Sequence, residues 1–148
     1  MNIRIANFAD AQSLVEFNQA MALETEGKRL DATVLQSGVE AVFANKDKGF
    51  YVVAEENEKI IGGLMITFEW SDWRGHWFWW IQSVYILPEA RGKKIYRQLY
   101  DFVKEKARRQ GDVCGFRLYV ERENVNAQKV YEKLNMQSSH YLMYEEII

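Results

Sequence analysis

Within 148 residues the hydrophobic spacing switches repeatedly between helical and extended repeats, and that order constrains the fold more than anything else in the chain. Residues 3–5 suit a short strand. From Asp10 to Glu24 the apolar residues Leu14, Phe17 and Met21 recur at i, i+3 and i+7, which predicts an amphipathic helix ended by Gly27. Leu35, Val39, Val42 and Phe43 predict a second helix, beginning near Asp31 and over by Gly49. Three β-type segments follow at 50–55, 60–69 and 77–87, the first two divided by a polar stretch of hairpin-loop length. Ile95, Leu99, Phe102, Val103 and Ala107 then mark the clearest helix, with Gly111 placed to end it. A strand at 116–121 should follow, with Phe116, Leu118 and Val120 on one face. Ala127, Val130, Tyr131 and Leu134 mark a short helix starting near Asn124 or Asn126, and Asn135 suits the left-handed turn after it. A strand at 141–147 closes the chain. The order β-α-α-β-β-β-α-β-α-β predicts a mixed α/β sheet with helices packed on it.

Composition sets the class. An apolar content of 48% with 27% charged residues fits one soluble domain over residues 1–148, and it excludes a disordered chain. Nineteen basic residues against 21 acidic ones give a net charge of −2, so there is no basic excess for a nucleic-acid partner. The longest dense apolar run, 77–81, is far short of the roughly 20 residues that span a bilayer, and no secretory signal is expected at the N-terminus. Cys114 is the only cysteine. It can form neither an intrachain disulfide nor a metal site by itself, reads as a small buried side chain, and points to a reducing, cytoplasmic setting. His76 and His140 have no metal spacing, so no metal is expected.

The chemistry is concentrated between Val84 and Tyr96. A strand carrying Val84, Tyr85 and Ile86 runs through Pro88 into a turn, and Arg91, Gly92, Lys93 and Lys94 then open the helix at Ile95 and Tyr96. A helix N-terminus presents unpaired N–H groups and the positive end of the dipole, so this cluster is either an anion site or a solvated basic turn. A second run, 124–136, sets Asn124, Ala127 and Tyr131 at offsets of three and seven, followed by Glu132, Lys133, Leu134, Asn135 and Met136.

Together with the element order, these two runs resemble the GCN5-related N-acetyltransferase (GNAT) superfamily along nearly the whole chain. The family's first motif, R/Q-x-x-G-x-G/A, cradles the coenzyme A pyrophosphate. Arg91 matches it, while Lys94 and Tyr96 stand at the two positions that are usually Gly and Gly/Ala. A Cβ at the first of these costs about 1–2 kcal/mol if its φ is positive, and Lys94 offers an ammonium in exchange. Asn135 and Met136 stand where Gly-Phe is usual.

The resemblance implies a GNAT-like acyltransferase fold with a mostly antiparallel sheet and about four helices. It implies acetyl transfer from acetyl-CoA to a primary amine. Val84, Tyr85 and Ile86 would pair with the pantetheine arm, Arg91 through Tyr96 would hold the diphosphate, and Asn124 would contact the cofactor or cap its helix. Tyr131 would protonate the leaving thiolate, or serve packing alone.

A carboxylate must help the amine lose its proton. Glu69, Asp72, Glu24 and Glu26 are candidates, with Glu69 first, because Gln82 stands where some relatives place a carboxylate. All five tryptophans lie between Trp70 and Trp80, where this fold receives its acceptor. With Glu69, Asp72, Glu24, Glu26 and Asp31 they suit a small cationic, polyamine- or amino-acid-like acceptor; a core layer or a homodimer patch is the competing reading. The rival function is a non-catalytic acyl-CoA-binding or scaffolding module.

Overall fold

The computed structural model describes all 148 residues, which fall into two compact units, Met1–Leu118 and Tyr119–Ile148. In the first, β1 (Asn2–Ile5), α1 (Ala11–Glu26), α2 (Ala32–Ala44), β2 (Phe50–Glu56), β3 (Lys59–Ser71), β4 (His76–Ile86), α3 (Ile95–Gln110) and β5 (Val113–Arg117) follow one another. The second holds α4 (Val125–Lys133). The strands form one sheet in the order β1-β2-β3-β4-β5, antiparallel except for the parallel pair β4–β5.

Directly opposed residues share a face, so the register sorts the core. On one face Tyr51, Val53 and Tyr85 pack against Leu14 and Phe17 of α1 and Val39 and Val42 of α2. On the other, Phe50, Phe68 and Phe116 surround the fully buried Trp79, and Tyr100 of α3 meets Phe116 edge-on at 5.6 Å. Along the apolar stripe of α3, Ile95, Leu99, Val103 and Ala107 are buried and Phe102 is partly so.

Local chemistry sets the ends of α1. Asn7 and Asp10 cap each other's backbone at a 3₁₀ turn before it. Arg4 of β1 then donates to both Asp10 oxygens, at 2.7 and 3.0 Å, and to Glu55 of β2 at 3.1 Å, which fastens the helix start to the sheet edge. Gly27 closes α1 in the left-handed conformation, with its N–H on the Leu23 carbonyl.

Three expectations fail. Residues 141–147 form no strand. The strand expected at 116–121 begins earlier and ends at Arg117, because its register is set by pairing with Trp77–Trp80 rather than by its own alternation. Cys114 is exposed, since a register shift between Trp77 and Phe78 leaves it between the paired residues Val113 and Gly115; its Sγ lies 3.4 Å from the Trp77 carbonyl oxygen. α2 keeps to its expected bounds, starting after Asp31 and ending at Ala44, before Gly49.

Candidate active site

The last part of β4 differs from the rest of the sheet. Met65 faces Gln82 and Gly63 faces Tyr85, so Ser83 and Val84 together oppose Leu64, a two-for-one β-bulge. Ser83 takes φ +52° to make it. On its other side β4 pairs with β5 only from Trp77 to Trp80. From Ile81 to Ile86 the backbone on that side has no β5 partner, and this is the stretch expected to receive an extended arm. The bulge carries no glycine, and sequence reading missed it.

Beyond Ile86 a 3₁₀ turn, Pro88–Ala90, brings the chain to Arg91. Gly92 has φ +80° and nothing within 4 Å of where a Cβ would stand. Lys94, immediately before α3, has φ +59° and gives the helix no side-chain cap. α3 therefore begins without a side-chain cap, and the positive end of its dipole faces this turn. Lys93 and Lys94 are exposed beside them, whereas Tyr96 is buried and stacks on Tyr100 at 6.2 Å. The bulk at position 96 is turned into the core, so it leaves the loop open. The residues present fit a diphosphate followed by an extended amide-bearing chain: uncapped amides, cations and an unpaired strand edge lie in succession.

Arg91 is already engaged. It donates from Nε to the Ile86 carbonyl at 3.0 Å and from Nη2 to Glu24 at 2.8 Å, with its guanidinium 5.5 Å from the centre of the Tyr85 ring. The Tyr85 hydroxyl donates to the other Glu24 oxygen at 2.7 Å. The hydrogen bond from Tyr85, then that from Arg91, hold the Glu24 carboxyl below its usual range. Burial, with Glu24 as acceptor, pushes the Tyr85 phenol up. Glu24 thus links the end of α1 to the end of β4 and the turn beyond it, a role its sequence position did not signal.

A second cluster lies on the same face as Tyr85, among Thr67, Glu69, Phe78, Trp80, Gln82 and Arg117, which the register groups together. Glu69 accepts from Trp80 Nε1 at 2.7 Å and from Arg117 Nη1 at 3.1 Å on both oxygens. Arg117 lies 3.6 Å over the Phe78 ring, and Arg74 stands 5.0 Å from it. Gln82 donates to Thr67 at 2.6 Å. The tryptophans divide: Trp70, Trp77 and Trp79 line the opposite face, Trp80 this one, and Trp73 sits 88% exposed on the β3–β4 turn. Among the other acidic candidates, Asp31 caps α2 through the Val34 N–H, Asp72 accepts from Trp73 N–H, and Glu26 lies 3.7 Å from Lys28.

Asn124 and Tyr131 belong to the second unit. Asn124 caps α4, accepting from the Ala127 N–H at 3.1 Å. Tyr131 is half-buried on α4, and that burial raises its phenol pKa. Asn135 is left-handed, at φ +67°. No group of three or more His, Cys, Asp or Glu side chains is arranged to hold a metal, and no helix is long and apolar enough to cross a membrane.

This fold, a mostly antiparallel sheet whose fourth strand bulges and then feeds a basic helix start, is that of an acyltransferase of the GNAT type. A family model described as "Acetyltransferase (GNAT) family" matches residues 13–136, so the chain belongs to the GNAT acetyltransferase family. A possible acetyltransferase from Clostridium difficile 630 is similar at 44% identity, covering 99% of this chain and 97% of that one, with a TM-score of 0.93. A predicted acetyltransferase of Clostridium acetobutylicum, solved with acetyl-CoA, shares the fold at 21% identity, covering 98% and 95%, with a TM-score of 0.80. So does the ribosomal-protein-alanine N-acetyltransferase of Brucella melitensis biovar Abortus 2308, at 17% identity over 100% of both chains and a TM-score of 0.78. No curated protein matches the sequence.

Proposed function

We propose that the protein transfers an acetyl group from acetyl-CoA to the primary amine of a small, amino-acid-like acceptor. The observation that carries this is the sequence of features along one path: an unpaired strand edge from Ile81 to Ile86, the Arg91–Lys94 turn, and the uncapped start of α3. Bound there, acetyl-CoA supplies an activated acyl group. The backbone of Val84, Tyr85 and Ile86 would align the pantetheine arm and polarise the thioester carbonyl. Amides from Gly92 to Tyr96, with Arg91, Lys93 and Lys94, would hold the diphosphate. By its family position the phenol of Tyr131 would donate a proton to the departing thiolate, and its burial, which raises its pKa, would keep it protonated for that role. Asn124 sets the start of the helix that carries it.

Glu69 has three hydrogen bonds from Trp80 and Arg117, so we assign it to holding that wall of the acceptor face, with solvent taking the amine's proton. Arg74 and Arg117 stand against the single carboxylate of Glu69 there, and their guanidiniums cover Phe78. That balance favours an acceptor bearing a carboxylate over a polyamine.

Titration calorimetry with coenzyme A, then acetylation of a panel of amino acids, polyamines, aminoglycosides and peptide N-termini, tests the reading. Micromolar coenzyme A binding with turnover of an amino-acid-like amine is expected. Binding without turnover of any amine would leave the non-catalytic acyl-CoA module, which the left-handed lysine at position 94 favours; no binding would end both.

A further inference from the structure

Of the candidate carboxylates, Glu24 alone leans on a partner that the cofactor also needs. Glu69 is held by Trp80 and Arg117, Asp31 caps α2, Asp72 accepts from a turn amide, and Glu26 faces Lys28. Glu24 Oε1 accepts from the Tyr85 hydroxyl at 2.7 Å, and its Oε2 accepts from Arg91 Nη2 at 2.8 Å. Arg91 spends Nε on the Ile86 carbonyl at 3.0 Å. Its neighbouring Nε and Nη2 donors, the pair that grips an oxyanion side by side, are therefore both committed. One guanidinium carries one charge, and a diphosphate in this turn would be repelled by the Glu24 carboxylate. With its side chain 48% exposed, Arg91 has room to turn from one anion to the other.

The same face of β4 carries the opposite charge further back. Arg117 is paired in register with Trp80 and reaches over Phe78, with Arg74 on the same ring. On β3, Gly63 faces Tyr85 and Thr67 faces Trp80. Those four residue steps set the anionic and cationic ends about 13 Å apart along the strand. Side chains leaning inward shorten the gap, yet an α-amine lies only one carbon from its carboxylate and reaches one end at a time.

On the footing of the acetyl transfer proposed above, we propose that Glu24 and the Tyr85 hydroxyl form the subsite for the acceptor's ammonium. Arg91 fills this subsite in the free protein and vacates it for the diphosphate. The acceptor carries its carboxylate several carbons from its amine, beside Arg117 and Arg74. Arg91 is thus a tethered cation standing in for the amine. Cofactor and acceptor then bind cooperatively, each tightening the other by the same factor. The hydrogen bonds from Tyr85 and Arg91 keep Glu24 ionised, and an ammonium in Arg91's place does the same, so Glu24 binds the amine without taking its proton.

Titration calorimetry on the full chain tests this, with ε-aminocaproate as the probe and caproate and glycine as controls. Wild type should bind the probe at least about five-fold tighter with coenzyme A present than without, the low end of coupling between linked sites. Arg91→Ala opens Glu24 from the start, so without coenzyme A it should bind the probe as tightly as the wild-type complex does. Adding Glu24→Gln to Arg91→Ala should remove that gain. Caproate, which lacks the amine, and glycine, whose two groups lie too close together, should bind about ten-fold more weakly, the loss of one hydrogen bond to a charged group. A gain of affinity cannot come from misfolding. An Arg91→Ala variant that binds the probe no better than free wild type, a gain that survives Glu24→Gln, or glycine binding as tightly as the probe overturns the proposal. The Arg91→Ala measurements contain neither coenzyme A nor turnover. A wild type that fails to bind coenzyme A overturns the acetyl transfer itself, and those measurements tell that failure apart from failure of the subsite.

Discussion

Replacing Lys94 by glycine should move stability and cofactor affinity in opposite directions. Lys94 sits at φ +59°, where an L side chain brings Cβ against its own following carbonyl at a cost of about 1–2 kcal/mol. Glycine removes that cost but loses about 0.5–1 kcal/mol through the greater freedom of the unfolded chain. The net gain is about 0.5 kcal/mol, or roughly 1–2 °C in Tm for a chain of this size. Position 94 has no side-chain cap to lose and is exposed, so no packing term competes. The same substitution removes an ammonium from the diphosphate turn, which should weaken coenzyme A binding about two- to five-fold and flatten its dependence on salt. Lys94→Ala separates the two effects: it keeps the strained backbone and loses the charge, so it should bind as weakly as Lys94→Gly with no gain in Tm. The assay is differential scanning fluorimetry beside titration calorimetry at two ionic strengths. A Tm for Lys94→Gly at or below that of Lys94→Ala would refute the strain argument. An unchanged salt dependence would refute the charge argument.

Arg4→Ala leaves Asp10 buried without its partner and should cost about 2–3 kcal/mol by urea unfolding, less than the 3–5 of a wholly buried pair because Arg4 is partly exposed. Burial opposes ionisation of Asp10, but hydrogen bonds from Arg4 and the Asn7 N–H outweigh it and lower its pKa. That stabilisation is complete above about pH 4 and fades only as pH falls through the lowered value, so wild type and variant should converge only in strong acid. Tyr131→Phe should lower kcat about 10²-fold with coenzyme A affinity unchanged, and the wild-type alkaline limb should lie above about pH 10 because the phenol's pKa is raised. An intact kcat would remove Tyr131 as the acid. Glu69→Gln keeps acceptors for Trp80 and Arg117, so it should retain kcat within about ten-fold with an unmoved acid limb; a shifted limb would restore Glu69 as the base. Glu24→Gln loosens the hold on Arg91 and should tighten coenzyme A binding measurably in calorimetry.

What the sequence disclosed, and what it hid, follows from where each element's energy comes from. α1 and α3 were legible because their apolar stripes, caps and terminal glycines act within one turn of the chain, and both ends of α3 fall where Ile95 and Gly111 predict. The turn that opens α3 was legible for the same reason, down to the left-handed backbone that a glycine would ordinarily occupy and Lys94 here adopts. β5 was not, because a five-residue edge strand takes its bounds from Trp77–Trp80, residues more than 30 positions away, and that long-range register put Cys114 in the open. Side-chain partners were hidden more deeply still. Nothing local to Glu24 announces Tyr85 and Arg91, 61 and 67 residues on, yet those contacts decide that Glu24 is held as a charged anchor.

The bulge at Ser83–Val84 shows why this distinction bears on function. Ser83 has no sequence reason to take φ +52°; it does so because Gln82 and Tyr85 must both keep register with β3 while one extra residue is absorbed. The extra residue bends β4, and β4–β5 pairing ends at Trp80, two residues before the bend. The amides and carbonyls that a regular strand would spend on β5 are thereby left without that partner from Ile81 onward, up to the Ile86 carbonyl, which accepts from Arg91. Deleting one bulge residue should therefore restore regular pairing, with Ser83 alone opposite Leu64 and Tyr85 still opposite Gly63 on its own face, and straighten β4 where it now bends away from β5. A Val84 deletion that still bound coenzyme A with wild-type affinity would mean that the strand edge is not where the extended arm of the cofactor lies.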